Sequence, residues 1–185
     1  MSDRIALNRD AFTDLVHAHH LALVRTCYVV VGDLEAARDA VQSAWLRLWR
    51  EPPALRDSSK LRPWLAAVAI NEARQRTRRD RRGRILHFAL RQREDAPPGT
   101  EDAIDLAAAM RRLTDHEREL LALRYVLELE SAAIGAHLGI SPEGARTRLH
   151  RLLQKLREEV GYKPSGPDAD ESSDPHRPTD DPNRR

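Results

Sequence analysis

The sequence predicts an all-α protein built as two small helical domains joined by a flexible linker. Three observations predict it. Aromatic residues are only 4% of the 185 and charged residues 32%, a composition rich in Ala, Leu and Arg that favours helices over sheets. Apolar residues recur at helical spacing through most of the chain, the mark of helices that pack one face. The stretch Glu94-Asp-Ala-Pro-Pro-Gly-Thr100 breaks that rhythm with linker composition. The expected boundaries are a first domain over 10–93, a linker over 94–100, a second domain over 101–162 and a disordered tail over 163–185.

The first helix is expected from about Asp10 to Gly32, with Phe12, Leu15, Val16, Leu21, Leu23 and Val24 as packing residues. Gly32-Asp33 ends it, and Asp33 can cap a second helix running to about Arg50. There Leu34, Ala37, Val41, Ala44, Trp45, Leu48 and Trp49 form an apolar stripe, while Asp39, Gln42 and Leu46 share a different stripe by i, i+3, i+7 spacing. Pro52 and Pro53 open a loop that lasts to Lys60, and Ser58-Ser59 supplies the next cap. The third helix begins near Lys60 with Pro63 in its first turn. Its first half packs Trp64, Leu65 and Val68; its second half is polar, with Asn71, Arg74, Arg78 and Arg82 in one stripe. Gly83 interrupts it, and a short amphipathic piece over 85–91 completes the domain.

In the second domain helices are expected at about 101–112, 115–126, 130–138 and 142–160. Thr114 and Glu117 make a capping box. Gly139 supplies the left-handed turn that stops one helix, Ser141 can cap the next, and Pro142 takes the first helical position, where a missing N–H costs nothing. Ala145, Leu149, Leu152, Leu153, Leu156 and Val160 then share one face. Gly144, Thr147 and Arg151 lie opposite, flanked by Arg146 and Arg148. One face to pack and one basic face to lie in a major groove is the pattern of a helix-turn-helix. An ordinary helical hairpin with a solvated face is the plainer reading of that segment.

Charge is unevenly placed. The net charge is +2, yet residues 74–93 hold nine arginines and a single acid, Asp80. A concentrated basic block predicts a polyanionic partner. The lone cysteine, Cys27, excludes an internal disulfide or a Cys-based zinc cluster and is expected in the core. His17 and His20 stand one helical turn apart but have no partner at ligand spacing, so no metal or cofactor is expected. Nothing has the pattern of a catalytic triad, a phosphate-binding loop or paired carboxylates, which argues against an enzyme. No signal pattern and no apolar run of about 20 residues is present, so a cytoplasmic protein without a membrane partner is expected.

From Phe12 to Val160 the chain resembles the sigma-70 family of RNA polymerase sigma factors, specifically the extracytoplasmic-function subgroup that retains only domains two and four. Gly32-Asp33 through Ala37-Arg38-Asp39-Ala40-Val41-Gln42-Ser43-Ala44-Trp45-Leu46-Arg47-Leu48-Trp49 resembles region 2.2, which grips the clamp coiled coil of the largest polymerase subunit. Leu61-Arg62-Pro63-Trp64-Leu65 through Asn71 and the arginines beyond resembles regions 2.3 and 2.4, which engage and open the minus-10 element. Residues 113–156 resemble region 4, with Arg124-Tyr125, then Ile134-Gly135-Ala136-His137-Leu138-Gly139-Ile140-Ser141-Pro142, then Arg146-Thr147-Arg148-Leu149-His150-Arg151.

The resemblance implies a helical domain-two bundle and a domain-four helix-turn-helix, binding core RNA polymerase and promoter DNA, duplex and single-stranded. It implies polymerase binding by Asp39, Gln42 and Leu46. It implies minus-10 contacts by Ser58, Ser59, Lys60, Trp64, Asn71, Arg74, Arg78 and Arg79, and minus-35 contacts by Arg146, Thr147, Arg148, His150 and Arg151. An anti-sigma partner is common in the subgroup. The chain departs from the usual pattern at Arg38, Ala40 and Ser43, where Glu, Leu and Glu are common. It departs again at Ala133 and Gly135, and at Glu143, Gly144 and Ala145, where Gly, Thr and Val are common. A helix-turn-helix regulator acting on duplex DNA without polymerase is the alternative; it would need no polymerase-gripping face and no strand-opening segment. An RNA-processing enzyme or nuclease using the arginine run is the other, and the missing carboxylate or histidine cluster argues against it.

Overall fold

The computed structural model describes residues 8–53, 57–83 and 101–161, without the side chains of 58, 80–83 and 101–105. The expected piece over 85–91, the linker over 94–100, the tail over 163–185 and the Arg82 side chain lie outside the described residues. Among those described, every regular element is helical.

Helix α1 (Arg9–Val31) starts where the Asn8 side chain accepts from the Ala11 N–H at 2.8 Å. It stops at Gly32, whose φ of 73° belongs to the left-handed region and turns its N–H back to the Tyr28 carbonyl. Asp33 then caps α2 (Leu34–Arg50), accepting from the Ala36 N–H at 3.0 Å. The Asp57 side chain caps the next element, accepting from the Ser59 N–H at 2.9 Å. A 3₁₀ turn, Ser58–Lys60, leads into α3 (Leu61–Gly83).

These three helices enclose the first core. α1 contributes Leu23, Val24, Cys27, Val30 and Val31. Leu21, expected to pack, is exposed instead; at 100° per residue it lies roughly 120° from the centre of that buried arc. α2 and α3 pack against each other, and Ala37, Ala40 and Ala44 of the one and Ala66, Ala69 and Ala73 of the other are all fully buried. Side chains that small let two helix backbones approach closely, and Leu48, Leu65 and Ile70 fill the remaining space. Ala40, where a leucine is common, is therefore part of a close-packed seam.

The second unit comprises α4 (Glu101–Arg112), α5 (Asp115–Leu121), α6 (Ser131–Leu138) and α7 (Pro142–Glu159). Both sides of the expected capping box at Thr114 and Glu117 are present. One helix was expected over 115–126, but its second half widens into a π turn over Ala122–Val126. With no glycine available, Glu128 takes a φ of 51° to end it. The wider turn carries Leu123, Leu127 and Leu129 inward together, and all three are buried.

Gly139 has a φ of 68°, and the Ser141 hydroxyl caps α7 by accepting from the Gly144 N–H at 3.0 Å. Gly135 is required for a different reason. A Cβ built there would lie 2.7 Å from the Ile140 carbonyl oxygen and 3.1 Å from the Ser141 carbonyl carbon. Only glycine lets the connection from α6 to α7 pass this closely over α6.

The sequence leads to two domains with separate cores. In the structure they are docked: α5 and the π turn pack on α1, α6 packs on α3, and the buried residues form one continuous cluster.

Candidate nucleic-acid interface

Three surfaces carry the residues singled out by sequence. On α2, Asp39, Gln42 and Leu46 are all exposed on one side of the helix, and Leu46 retains 54% of its accessible surface beside the half-exposed Trp49. The Trp49 ring meets Phe12 edge to face with centroids 5.0 Å apart. Behind this face the Arg76 guanidinium of α3 donates to the Ser43 hydroxyl at 2.7 Å and stands 3.8 Å from the Asp39 carboxylate. Ser43, where Glu is common, therefore ties α2 to α3. Arg38 pairs with Glu35 at 2.9 Å, one turn back.

On α3 the surface begins at the exposed Ser59 and Lys60 and continues through the half-buried Trp64, which packs against the core. The Ser58 backbone lies in the 3₁₀ turn. Farther along, Asn71, Arg78 and Arg79 are exposed, whereas Arg74 is half-buried. Its guanidinium reaches across to α5 and donates to Glu119 at 2.8 Å.

On α7, Arg146, Thr147, Arg148, His150 and Arg151 are all exposed, while Ala145, Leu152 and Leu156 are buried. Arg146 pairs with Glu143 one turn earlier. The structure brings Arg148 and Arg151 to the same cleft as Asn71 and Arg74, with a volume of about 710 Å³; Arg146, Thr147 and His150 do not line it.

Several polar residues at the junction of the domains were not legible in sequence. Glu119 is almost fully buried, and besides Arg74 it meets the His137 imidazole at 2.8 Å. Burial pushes its carboxyl up, but the hydrogen bond from His137 and the charge and hydrogen bond of Arg74 outweigh that and hold it below its ordinary value. Arg118 donates to the Val30 carbonyl of α1 at 3.3 Å, and Arg62 donates to the Leu127 carbonyl. The partners that join the two domains are 45 to 88 residues apart, a separation that helical periodicity does not encode. Glu119 reads in sequence as one more acid in the first turns of α5.

The remaining candidates are structural. Cys27 is fully buried, and burial pushes its thiol up to about 12, which keeps it from acting as a nucleophile. His20 accepts a hydrogen bond from the Trp45 indole at 3.2 Å. Burial and the nearby Arg62 charge hold the His19 imidazole below its ordinary value. Among the described residues no three His, Cys, Asp or Glu side chains gather as a metal site, and no helix is long and apolar enough to cross a membrane.

Comparison with known proteins agrees with this arrangement. The sigma-70 region 2 model matches residues 15–83 and the sigma-70 region 4 model matches residues 103–156. RNA polymerase sigma factor CarQ of Myxococcus xanthus is 32% identical over 163 residues, covering 83% of this chain and 91% of that protein. The extracytoplasmic-function RNA polymerase sigma factor SigW of Bacillus subtilis is 25% identical over 169 residues, covering 83% and 90%. In fold the chain is similar to the sigma factor RpoE solved with the anti-sigma factor NepR from Bartonella quintana. That match has a TM-score of 0.64 at 20% identity, covering 83% of this chain and 98% of the other. With both regions present in order on one helical scaffold, the chain belongs to the sigma-70 family of RNA polymerase sigma factors, in its extracytoplasmic-function subgroup.

Proposed function

We propose that this sigma factor recognises and opens promoters by dividing the work among its three surfaces. The observation that carries the reading is that one chain exposes Asp39, Gln42 and Leu46 on α2, Asn71, Arg78 and Arg79 on α3, and Arg146, Thr147, Arg148, His150 and Arg151 on α7. Asp39, Gln42 and Leu46 hold core polymerase, with the exposed Leu46 supplying apolar contact and Asp39 and Gln42 fixing register. The polymerase supplies all the catalysis. Asp39→Arg is expected to reduce holoenzyme formation at least tenfold with the fold intact, read by titrating labelled protein with core polymerase. Unchanged affinity would remove α2 as the polymerase-binding face.

Domain two traps the minus-10 strand. Taking a base out of the stack costs a few kcal/mol, which a protein offsets with a pocket, stacking and a basic groove. In this reading Ser58, Ser59, Lys60 and Trp64 receive the extruded base, and Asn71 hydrogen-bonds a base edge. Arg74, Arg78 and Arg79 hold the backbone by charge. Domain four lays α7 in the minus-35 major groove, where Arg146, Thr147, His150 and Arg151 read bases and Arg148 anchors a phosphate. Arg151→Ala is expected to weaken binding to the cognate minus-35 duplex by about 1–3 kcal/mol. An equal loss on a scrambled duplex would reduce Arg151 to a phosphate contact.

An anti-sigma protein is proposed as a further partner, on the ground that the RpoE structure similar in fold holds one. The proposed place of work is the cytoplasm, where polymerase and chromosome meet. Promoter opening itself is tested with holoenzyme on a promoter carrying 2-aminopurine in the minus-10 element. Fluorescence should rise without nucleoside triphosphates, and a flat signal on bound promoter would contradict melting by domain two.

A further inference from the structure

The cleft where α3, α5, α6 and α7 meet encloses about 710 Å³. That is far too small for a duplex and within the range of small-molecule sites. Its lining divides by chemistry. Ala67, Ile70, Leu120, Leu138 and Leu152 supply apolar surface, and Asn71 adds a side-chain amide. Among the described residues the two carboxylates of the lining are already matched. Glu119, deep in the cleft, meets Arg74 and His137 at 2.8 Å each, and Glu117 meets Lys155 at 2.9 Å.

Arg148 and Arg151 differ. Both are exposed on the α7 wall, and among the described residues neither lies within ion-pair distance of a carboxylate. One helical turn apart, they hold two like charges side by side without a counter-charge.

We propose that this cleft binds a free nucleoside diphosphate, with its phosphates on Arg148 and Arg151 and its base against the apolar wall beside Asn71. Each guanidinium offers a planar fork that suits a phosphate, and adjacent phosphates match adjacent arginines. Ala67 and Leu138 are the least buried of the apolar lining, so they present surface for a flat ring to cover. The exposed Asn71 amide carries donors and an acceptor that a base edge can engage together. A simple anion would use only the arginines, and an apolar molecule only the wall; a nucleotide uses both. Glu117 and Glu119, already paired, leave no free acid to draw a cation instead. The same two arginines are assigned to minus-35 DNA, so nucleotide and duplex compete for them. That competition rests on the assignment of α7 to the minus-35 element; the site itself does not.

Isothermal titration calorimetry on the full chain without polymerase tests the site, with GDP, ADP, inorganic pyrophosphate and guanosine as probes. Either diphosphate should bind one to one, about tenfold more tightly than pyrophosphate or guanosine, since each fragment keeps only part of the contacts. Ala67→Trp fills the space beside the apolar wall, and His116→Glu sets a carboxylate at the rim. Both positions are exposed, both line the cleft, and neither is assigned to DNA. Both variants should therefore fold and keep minus-35 duplex binding, while losing about tenfold in affinity for the diphosphates. In anisotropy, GDP should displace a fluorescent minus-35 duplex from wild type and, at the same concentration, not from either variant.

No saturable binding of either diphosphate would overturn the site. So would pyrophosphate binding as tightly as the diphosphates, which is what a merely basic surface gives, or unchanged affinity in both variants. Diphosphate binding with the expected variant losses but no displacement of duplex would uphold the site and remove Arg148 and Arg151 from the minus-35 contacts.

Discussion

Leu65→Ala is expected to destabilise the protein by about 2–5 kcal/mol, towards the upper end of that range. Leu65 is fully buried in α3, in a core cluster that also holds Ala37, Ala40 and Ala44 of α2 and Ala66, Ala69 and Ala73 of α3. Methyl groups cannot swing into the space a lost isobutyl group leaves. The helices are already at close approach, so the cavity stays open and its lining loses dispersion contacts. Set against a total stability of about 5–15 kcal/mol for an ordinary domain, such a loss leaves little margin. Urea unfolding followed by circular dichroism measures it. A loss below about 1 kcal/mol would mean that the seam repacks.

Gly135→Ala has a smaller energetic effect and a sharper functional one. The added Cβ would lie 2.7 Å from a backbone oxygen and within 3.2 Å of the Pro142 nitrogen, and backbone cannot swing aside as a flexible side chain can. About 1–3 kcal/mol is expected, with the strain concentrated at the turn that sets the direction of α7. Binding to minus-35 duplex should fall at least tenfold while single-stranded minus-10 binding, which uses α3, holds. Equal loss on both ligands would show general unfolding, and no loss on either would show that the turn relaxes freely.

Helix ends were the most legible part of this fold. Gly32-Asp33, Thr114 with Glu117, and Gly139 with Ser141-Pro142 each satisfy orphan backbone groups by local contacts, so their chemistry is written within a few residues. The π turn at Ala122–Val126 was not legible. Its helical period continues in the sequence, and it exists because Leu123, Leu127 and Leu129 are all drawn into a core supplied partly by α1. Asp57 takes a capping role ahead of Ser59 because several capping residues stand in a row. The exposure of Asp39, Gln42 and Leu46 on α2, of Asn71 and Arg78 on α3, and of Arg146, Thr147, Arg148 and Arg151 on α7 followed from spacing.

What spacing could not convey was the docking of the two domains. Arg74 sits on the predicted basic stripe of α3, yet its partner Glu119 lies 45 residues away on another domain. Likewise the role of Gly135 depends on where the Ile140 carbonyl passes, a fact of three-dimensional approach rather than of propensity. Sequence placed the candidate site residues on their helices; only the fold shows that two of the three surfaces share a cleft.

The central claim is that one chain confers promoter choice on a polymerase that otherwise lacks it. Run-off transcription with purified core polymerase tests this most directly, using genomic fragments with and without this protein. Discrete transcripts should start at a common distance downstream of paired minus-35 and minus-10 motifs, and should vanish with Asp39→Arg. Transcripts that are absent, or identical with and without the protein, would contradict the account.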